Sequence, residues 1–209
     1  MFTLLFWSNL SAQFTVGGTA SALGTNCYRL TNTLNSQAGY VYQNAPLNLN
    51  EPFNYKFQVY LGTNNGGADG IVFVLRGALG TPYIGAGGGG MGFLNLTGTN
   101  VGGSIGVEVD TWYNGNVGDL TADHIGIMSQ GSNSHTAATA LAGPIQASAT
   151  SINVEDGNYH TLNIRWDPDS MIFEVYLDCD YRLQYQGDII TNIFSGDTLV
   201  HWGFVGTTG

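Results

Sequence analysis

The densest chemistry in the chain lies between Val107 and Ile127. It reads Val107-Glu108-Val109-Asp110-Thr111-Trp112-Tyr113-Asn114, then Asp119, then Asp123-His124-Ile125-Gly126-Ile127. On an extended strand, residues i and i+2 point to the same side, roughly 6.5–7 Å apart. Glu108 and Asp110 therefore project together, while Val107 and Val109 project to the opposite face. Neighbouring carboxylates repel unless positive charge compensates them. No lysine or arginine occurs between Arg76 and Arg165, which leaves a bound cation as the simplest compensation. Asn114, Asp119 and Asp123 add hard oxygen donors from a loop, the ligand set of Ca²⁺. His124 adds an imidazole, which suits a transition metal such as Mn²⁺. The mixture is that of two ions sharing carboxylates. The alternative is an acidic strand edge solvated by water.

Two further features could approach a ligand. Asp69 stands in Gly66-Gly67-Ala68-Asp69-Gly70, at a glycine-flanked strand entrance. It is either a binding carboxylate or a turn aspartate that caps backbone N–H groups. Gly85–Gly90 (GAGGGG) matches G-x-G-x-x-G in form, but a dinucleotide site needs a helix next, and Met91–Leu96 reads as strand. The stretch is either a flexible loop or backbone that must come close to something, with its N–H donors exposed.

Hydrolysis was weighed on the same residues. Retaining glycoside hydrolases of related sandwich folds carry E-x-D-x-E on one strand, which sets two carboxyls roughly 5–5.5 Å apart. Here Trp112 stands where the second acid is needed, and an indole transfers no proton. A two-carboxylate hydrolase is disfavoured. Glu108 working with a distant acid stays open.

The elements that carry these residues are strands. Runs at Tyr55–Tyr60, Gly70–Leu75, Ser104–Asp110, His124–Ile127, His160–Trp166, Met171–Leu177 and Val200–Val205 lie between Gly, Asn, Asp and Thr turns. Ile172, Glu174 and Tyr176 alternate with Phe173, Val175 and Leu177, and Asp167-Pro168-Asp169 reads as a hairpin turn. Ala137–Ala142 is the best helix candidate, but it is short and Gly143-Pro144 follow it. Many short strands and no linker predict one all-β domain, an antiparallel β-sandwich. Composition agrees. Only 10% of the 209 residues are charged, against roughly 25% ordinarily. A surface kept soluble by Asn, Thr, Ser and Gly suits strands and turns better than helices. The net charge is −10 and Lys56 is the only lysine, which excludes a basic footprint for nucleic acid or an anionic membrane.

Other residues carry weaker signals. Met1–Leu10 is mostly apolar and Ser11-Ala12 follow, like the end of a signal peptide; residues 1–12 are read as its remnant, with a secreted domain over 13–209. No run approaches the roughly 18 apolar residues that span a bilayer. Cys27 and Cys179 would pair with each other or with partners elsewhere. His135, His160 and His201 read as surface or packed histidines, Trp166 and Trp202 as core or rim. Arg165 and Arg182 flank acids and are expected to form weak ion pairs.

Taken together, Ala68–Leu75, Gly88–Phe93, Val107–Asn114 with Asp119 and His124–Ile127, and Gly203–Gly209 resemble the L-type (legume-type) lectin domain, in that family's order. Leu141–Thr150 and Asn26–Thr31 resemble its bacterial, secreted branch more narrowly. The resemblance implies a concanavalin A-like jelly roll. It implies that Glu108, Asp110, Asp119 and His124 hold a transition metal, with Mn²⁺ expected. Asp110, Asn114, Asp119 and the Trp112 carbonyl would hold Ca²⁺; Asp123 has no role in the plant pattern and is read as a substitute ligand. Asp69, the Gly89 N–H and the Asn114 side chain match the sugar-binding triad, and Trp112 matches the aromatic under the sugar. The Ala68–Asp69 peptide is expected to be cis. The implied activity is Ca²⁺-dependent binding of glycans without catalysis, in a module of a larger surface or adhesion protein; the alternatives are a glycoside hydrolase on the same sandwich and a structural adhesion module with a vestigial sugar site. In the family, a specificity loop and a closing strand follow the Gly203–Gly209 motif. The chain is therefore expected to be a fragment that lacks both.

Overall fold

The computed structural model describes residues 14–78, 82–96 and 103–209; the expected signal remnant lies outside these. The strands are β1 (Phe14–Gly18), β2 (Ser21–Gly24), β3 (Cys27–Arg29), β4 (Ala38–Gln43), β5 (Leu47–Asn48), β6 (Phe53–Tyr60) and β7 (Gly70–Gly77). They continue with β8 (Ser104–Asp110), β9 (His124–Ser129), β10 (Ala140–Gln146), β11 (Tyr159–Asp167), β12 (Ile172–Leu177), β13 (Asp180–Gln186) and β14 (Leu199–Thr207). One short helix, α1 (Ile189–Asn192), is capped by the Asp188 carboxylate, which accepts from the Thr191 N–H.

All pairings are antiparallel. The larger sheet runs β1-β4-β14-β7-β8-β9-β10, with β5 beside β14; the smaller runs β13-β12-β11-β6. Phe173, Val175 and Leu177 of β12 are buried while Ile172, Glu174 and Tyr176 are not, the alternation that the sequence predicts. The Asp167 turn forms as expected, its carboxylate accepting from the Asp169 N–H (3.0 Å) and the Ser170 hydroxyl (2.8 Å). Between the sheets lies the main core, in which Ile105, Val107 and Val109 of β8 meet Leu162, Ile164, Phe173 and Val175. Trp166 belongs to this core and donates its indole N–H to the Leu49 carbonyl at 2.8 Å. Trp202 packs against the rings of Phe14, Tyr55 and Phe57.

A second apolar cluster covers the other face of the larger sheet. Val72, Val74 and Val205 project there and meet Met91, Phe93 and Leu96. Gly106 makes this possible: a Cβ there would stand 3.0 Å from the Phe93 ring. Met91–Leu96 is thus not a strand. Gly88–Gly90 forms a single 3-10 turn, Met91, Gly92 and Asn95 take positive φ, and the turning chain points its apolar side chains down onto the sheet. Nor is Ala137–Ala142 a helix. Residues 140–146 form β10 along the edge of β9, where ladder hydrogen bonds override alanine's helical preference. Cys27 and Cys179 are both exposed and free. No helix among the described residues is long and apolar enough to cross a membrane.

Candidate functional site

Strands β8 and β9 bring the acidic residues and His124 together. Asp110 pairs with His124 and Glu108 with Gly126, so Glu108, Asp110 and His124 share the face turned away from the main core. All three are buried. The connection from Thr111 to Asp123 folds back over them. The Trp112 N–H donates to Asp110 Oδ1 (2.7 Å), and the Asn114 N–H donates to Asp119 Oδ2 (2.6 Å). His124 Nδ1 faces the Ala122 carbonyl at 3.3 Å. Its Nε2 then faces Asp119 Oδ1 at 3.6 Å and Asp110 Oδ2 at 3.8 Å.

These residues fit a metal ion. Asp110, Asp119 and His124 offer ligand atoms within 4.8 Å of one another, and so do Glu108, His124 and His135. Glu108 Oε1 and His124 Nε2 are buried without a hydrogen-bond partner. Buried polar atoms are nearly always satisfied, and a cation would satisfy both. The charges are correspondingly perturbed. Burial, helped by Glu108 and Asp119, pushes Asp110 up to about 8 against the opposing pull of His124 and the Trp112 N–H. Burial also works against the Asp119 charge, but His124, His135 and the Asn114 N–H outweigh it and hold Asp119 at about 2.

Asp69 lies beside this centre. It precedes Gly70, which pairs with Asp110, and its carbonyl accepts from the Thr111 N–H at 3.0 Å. The Ala68–Asp69 peptide is cis. The Asp69 carboxylate is buried, which raises its pKa, and its Oδ2 lies 3.4 Å from the Thr207 hydroxyl. That hydroxyl also lies 3.0 Å from the Gly88 carbonyl, so Thr207 links Asp69 to the glycine turn. On the turn's other side, Asn133 donates to the Gly89 carbonyl at 2.8 Å. Gly89 abuts the Asn114 side chain: a Cβ there would stand 2.9 Å from Asn114 Oδ1. A concavity of about 200 Å³ opens here, lined by Gly89, Gly90, Asn114, Asn116 and Asn133 among others. Trp112 is 45% exposed and Tyr113 54%, which leaves both rings available for contact. A larger concavity, about 370 Å³, lies around Phe53, Arg165, Trp166 and Glu174 on the smaller sheet, away from these groups.

A family model described as the legume lectin beta-barrel domain matches residues 7–209. The chain belongs to this legume lectin family. The fold of the lectin domain is likewise similar to solved legume lectins. Basic winged bean lectin with Tn-antigen aligns at TM-score 0.72 and 20% identity, covering 94% of this chain and 83% of that one. A lectin from Bauhinia forficata in complex with GalNAc aligns at TM-score 0.71 and 25% identity, covering 98% and 88%. In sequence, the domain is 31% identical over 182 residues to the pesticidal crystal protein Cry22Aa of Bacillus thuringiensis. That match takes in 78% of this chain and only 22% of the relative's length.

Two site residues of the lectin domain need separate mention. Asp123 is in neither metal-compatible group. Its Oδ2 accepts the Val154 N–H at 2.7 Å, and its charge adds to burial in pushing Glu155 up to about 7. His135 was not among the sequence candidates, yet it is inside the centre. Its Nε2 lies 3.0 Å from Glu108 Oε1 and 3.3 Å from Asp119 Oδ1. Its N–H donates to the Val117 carbonyl at 2.9 Å, which ties it to the Trp112–Asp123 loop. No local motif announces it: Gly131-Ser132-Asn133-Ser134-His135 reads as an ordinary polar turn. The arginines also differ from expectation. The Arg165 guanidinium lies 4.4 Å from the Tyr176 ring centre, and Arg182 donates to the Gln146 carbonyl at 2.6 Å.

Proposed function

We propose that this lectin domain binds glycans at Asp69, Gly89, Asn114 and Trp112, and that bound metal ions hold the site in shape. The observation that carries the reading is the contact of Gly89 with Asn114, beside an Asp69 tied through Thr207 to the same glycine turn. The donors and acceptors suit a sugar. Ionised Asp69 only accepts, so it takes hydroxyl protons; the Gly89 N–H and the Asn114 amide donate to hydroxyl oxygens. The exposed Trp112 ring offers an apolar face to the sugar's C–H face.

Ca²⁺ would be held by Asp110, Asn114, Asp119 and the Trp112 carbonyl, and a transition metal by Glu108, Asp110, Asp119 and His124. When bound, these ions would supply positive charge to carboxylates that otherwise repel, and would fix the loop that carries Trp112 and Asn114. Binding proceeds without bond cleavage, because Trp112 offers no proton and Glu108 lies buried against two imidazoles. The domain acts as a module of a larger secreted, surface or adhesion protein. Its similarity to 22% of a much longer relative supports this. Since the Bauhinia forficata neighbour is described with GalNAc, glycans ending in that sugar are the first probes. The expected result on a glycan array is binding without release of reducing sugar. Sugar release abolished by Glu108→Gln would show a hydrolase instead.

A further inference from the structure

We propose that His135 is a direct ligand of the transition metal, giving that ion two imidazoles, His124 and His135, beside Glu108, Asp110 and Asp119. The inference rests on the metal-dependent reading above and goes beyond it in naming an added ligand and the metals it favours.

Glu108 Oε1 is buried without a hydrogen-bond partner, although His135 Nε2 lies only 3.0 Å away. The distance is that of a hydrogen bond, yet the oxygen is left without one. His124 Nε2 is buried and unpartnered too, 3.6 Å from Asp119 Oδ1. Polar atoms that approach closely without bonding one another converge on a common point.

Ligands about 2.1 Å from an ion are about 3.0 Å apart at adjacent corners of an octahedron and about 3.4 Å apart in a tetrahedron. His135 Nε2 stands 3.0 Å from Glu108 Oε1 and 3.3 Å from Asp119 Oδ1. These are the edges of one coordination sphere. The His135 side chain is 2% exposed, and its backbone is pinned to Val117, so the ring is held at the centre.

Gly126 lies opposite Glu108 in the β8–β9 register. A Cβ at Gly126 would stand 2.7 Å from Glu108 Oε1 and 3.1 Å from His135 Cε1. The missing side chain clears the space that Glu108 and His135 occupy together. Two imidazoles move preference away from Mn²⁺, which takes oxygen-rich sets, toward Zn²⁺, Co²⁺ or Ni²⁺.

The test uses the whole chain, stripped of metal and reloaded with Ca²⁺ and with either Zn²⁺ or Mn²⁺. Affinities come from competition titration of wild type, His135→Gln and His124→Gln; calcium content and melting temperature report folding. Anomalous scattering from Zn²⁺-loaded crystals locates the ion. Expected are Zn²⁺ within about 2.2 Å of both Nε2 atoms, a Zn²⁺ affinity at least tenfold lower in His135→Gln, and a smaller loss for Mn²⁺. An ion bound by His124 but not His135, with His135→Gln within twofold of wild type, overturns the proposal and leaves the metal reading intact. No ion at the centre in folded wild-type protein overturns both.

Discussion

A Cβ on Gly89 would stand 2.9 Å from Oδ1 of Asn114, closer than real side-chain contacts allow. The backbone of the glycine turn and the Asn114 amide therefore form one surface, which a sugar in the proposed site would span. Gly89→Ala would displace the Asn114 amide and stand in the approach to that proposed site. It is expected to weaken glycan binding at least tenfold, about 1.4 kcal/mol. Its melting temperature should stay close to wild type, because the displaced atoms end a polar side chain. Titration calorimetry with a binding glycan and a thermal melt check the two halves.

Gly126 carries a parallel prediction at the metal centre. With 2.7 Å between its virtual Cβ and Glu108 Oε1, Gly126→Ala must move that carboxylate. The variant is expected to lose transition metal while keeping Ca²⁺, since Glu108 is assigned to the former alone. Elemental analysis of the purified variant reads both ions at once.

His160 sets a pH dependence of stability. Its Nδ1 lies 2.6 Å from Asp178 Oδ2 and its Nε2 3.1 Å from the Val154 carbonyl. Both nitrogens face acceptors, an arrangement that only the protonated ring fills. Burial lowers its pKa, but Asp178 and Asp156 outweigh burial and raise it. The stabilisation is thus fully present below the unfolded value of about 6.5 and is lost as pH rises through the higher folded value. Both carboxylates are partly exposed, so the effect is modest, on the order of 1 kcal/mol. Between pH 6 and pH 9, wild type is expected to lose about that much stability relative to His160→Gln, as read by urea unfolding at each pH.

The sequence is most legible where one face of a strand is apolar and the other is not. In β8, the valines alternate with Glu108 and Asp110, and the strand forms over the expected residues, Ser104–Asp110. In β12, Phe173, Val175 and Leu177 fix the register. Periodicity fails where tertiary contacts decide. Met91, Phe93 and Leu96 look like strand residues, yet they are apolar because they roof the second cluster from a turn. Ala137–Ala142 carries helix-favouring residues, and pairing with β9 overrides them. At the site, the spacing within one segment announces groups that the fold gathers: Glu108, Asp110, Asp119 and His124. His135 is not announced, because what brings it in is a hydrogen bond to Val117 and a glycine gap at position 126. Neither feature leaves a pattern in the local sequence.

The central claim is that Asp69 and the metal-held loop make one sugar site. The direct measurement is calorimetric titration of a binding glycan into wild-type protein, chelator-treated protein and Asp69→Asn. Binding by wild type is predicted, with loss on chelation, recovery on adding Ca²⁺ with a transition metal, and no recovery in Asp69→Asn. Binding of equal strength in all three samples would contradict the account.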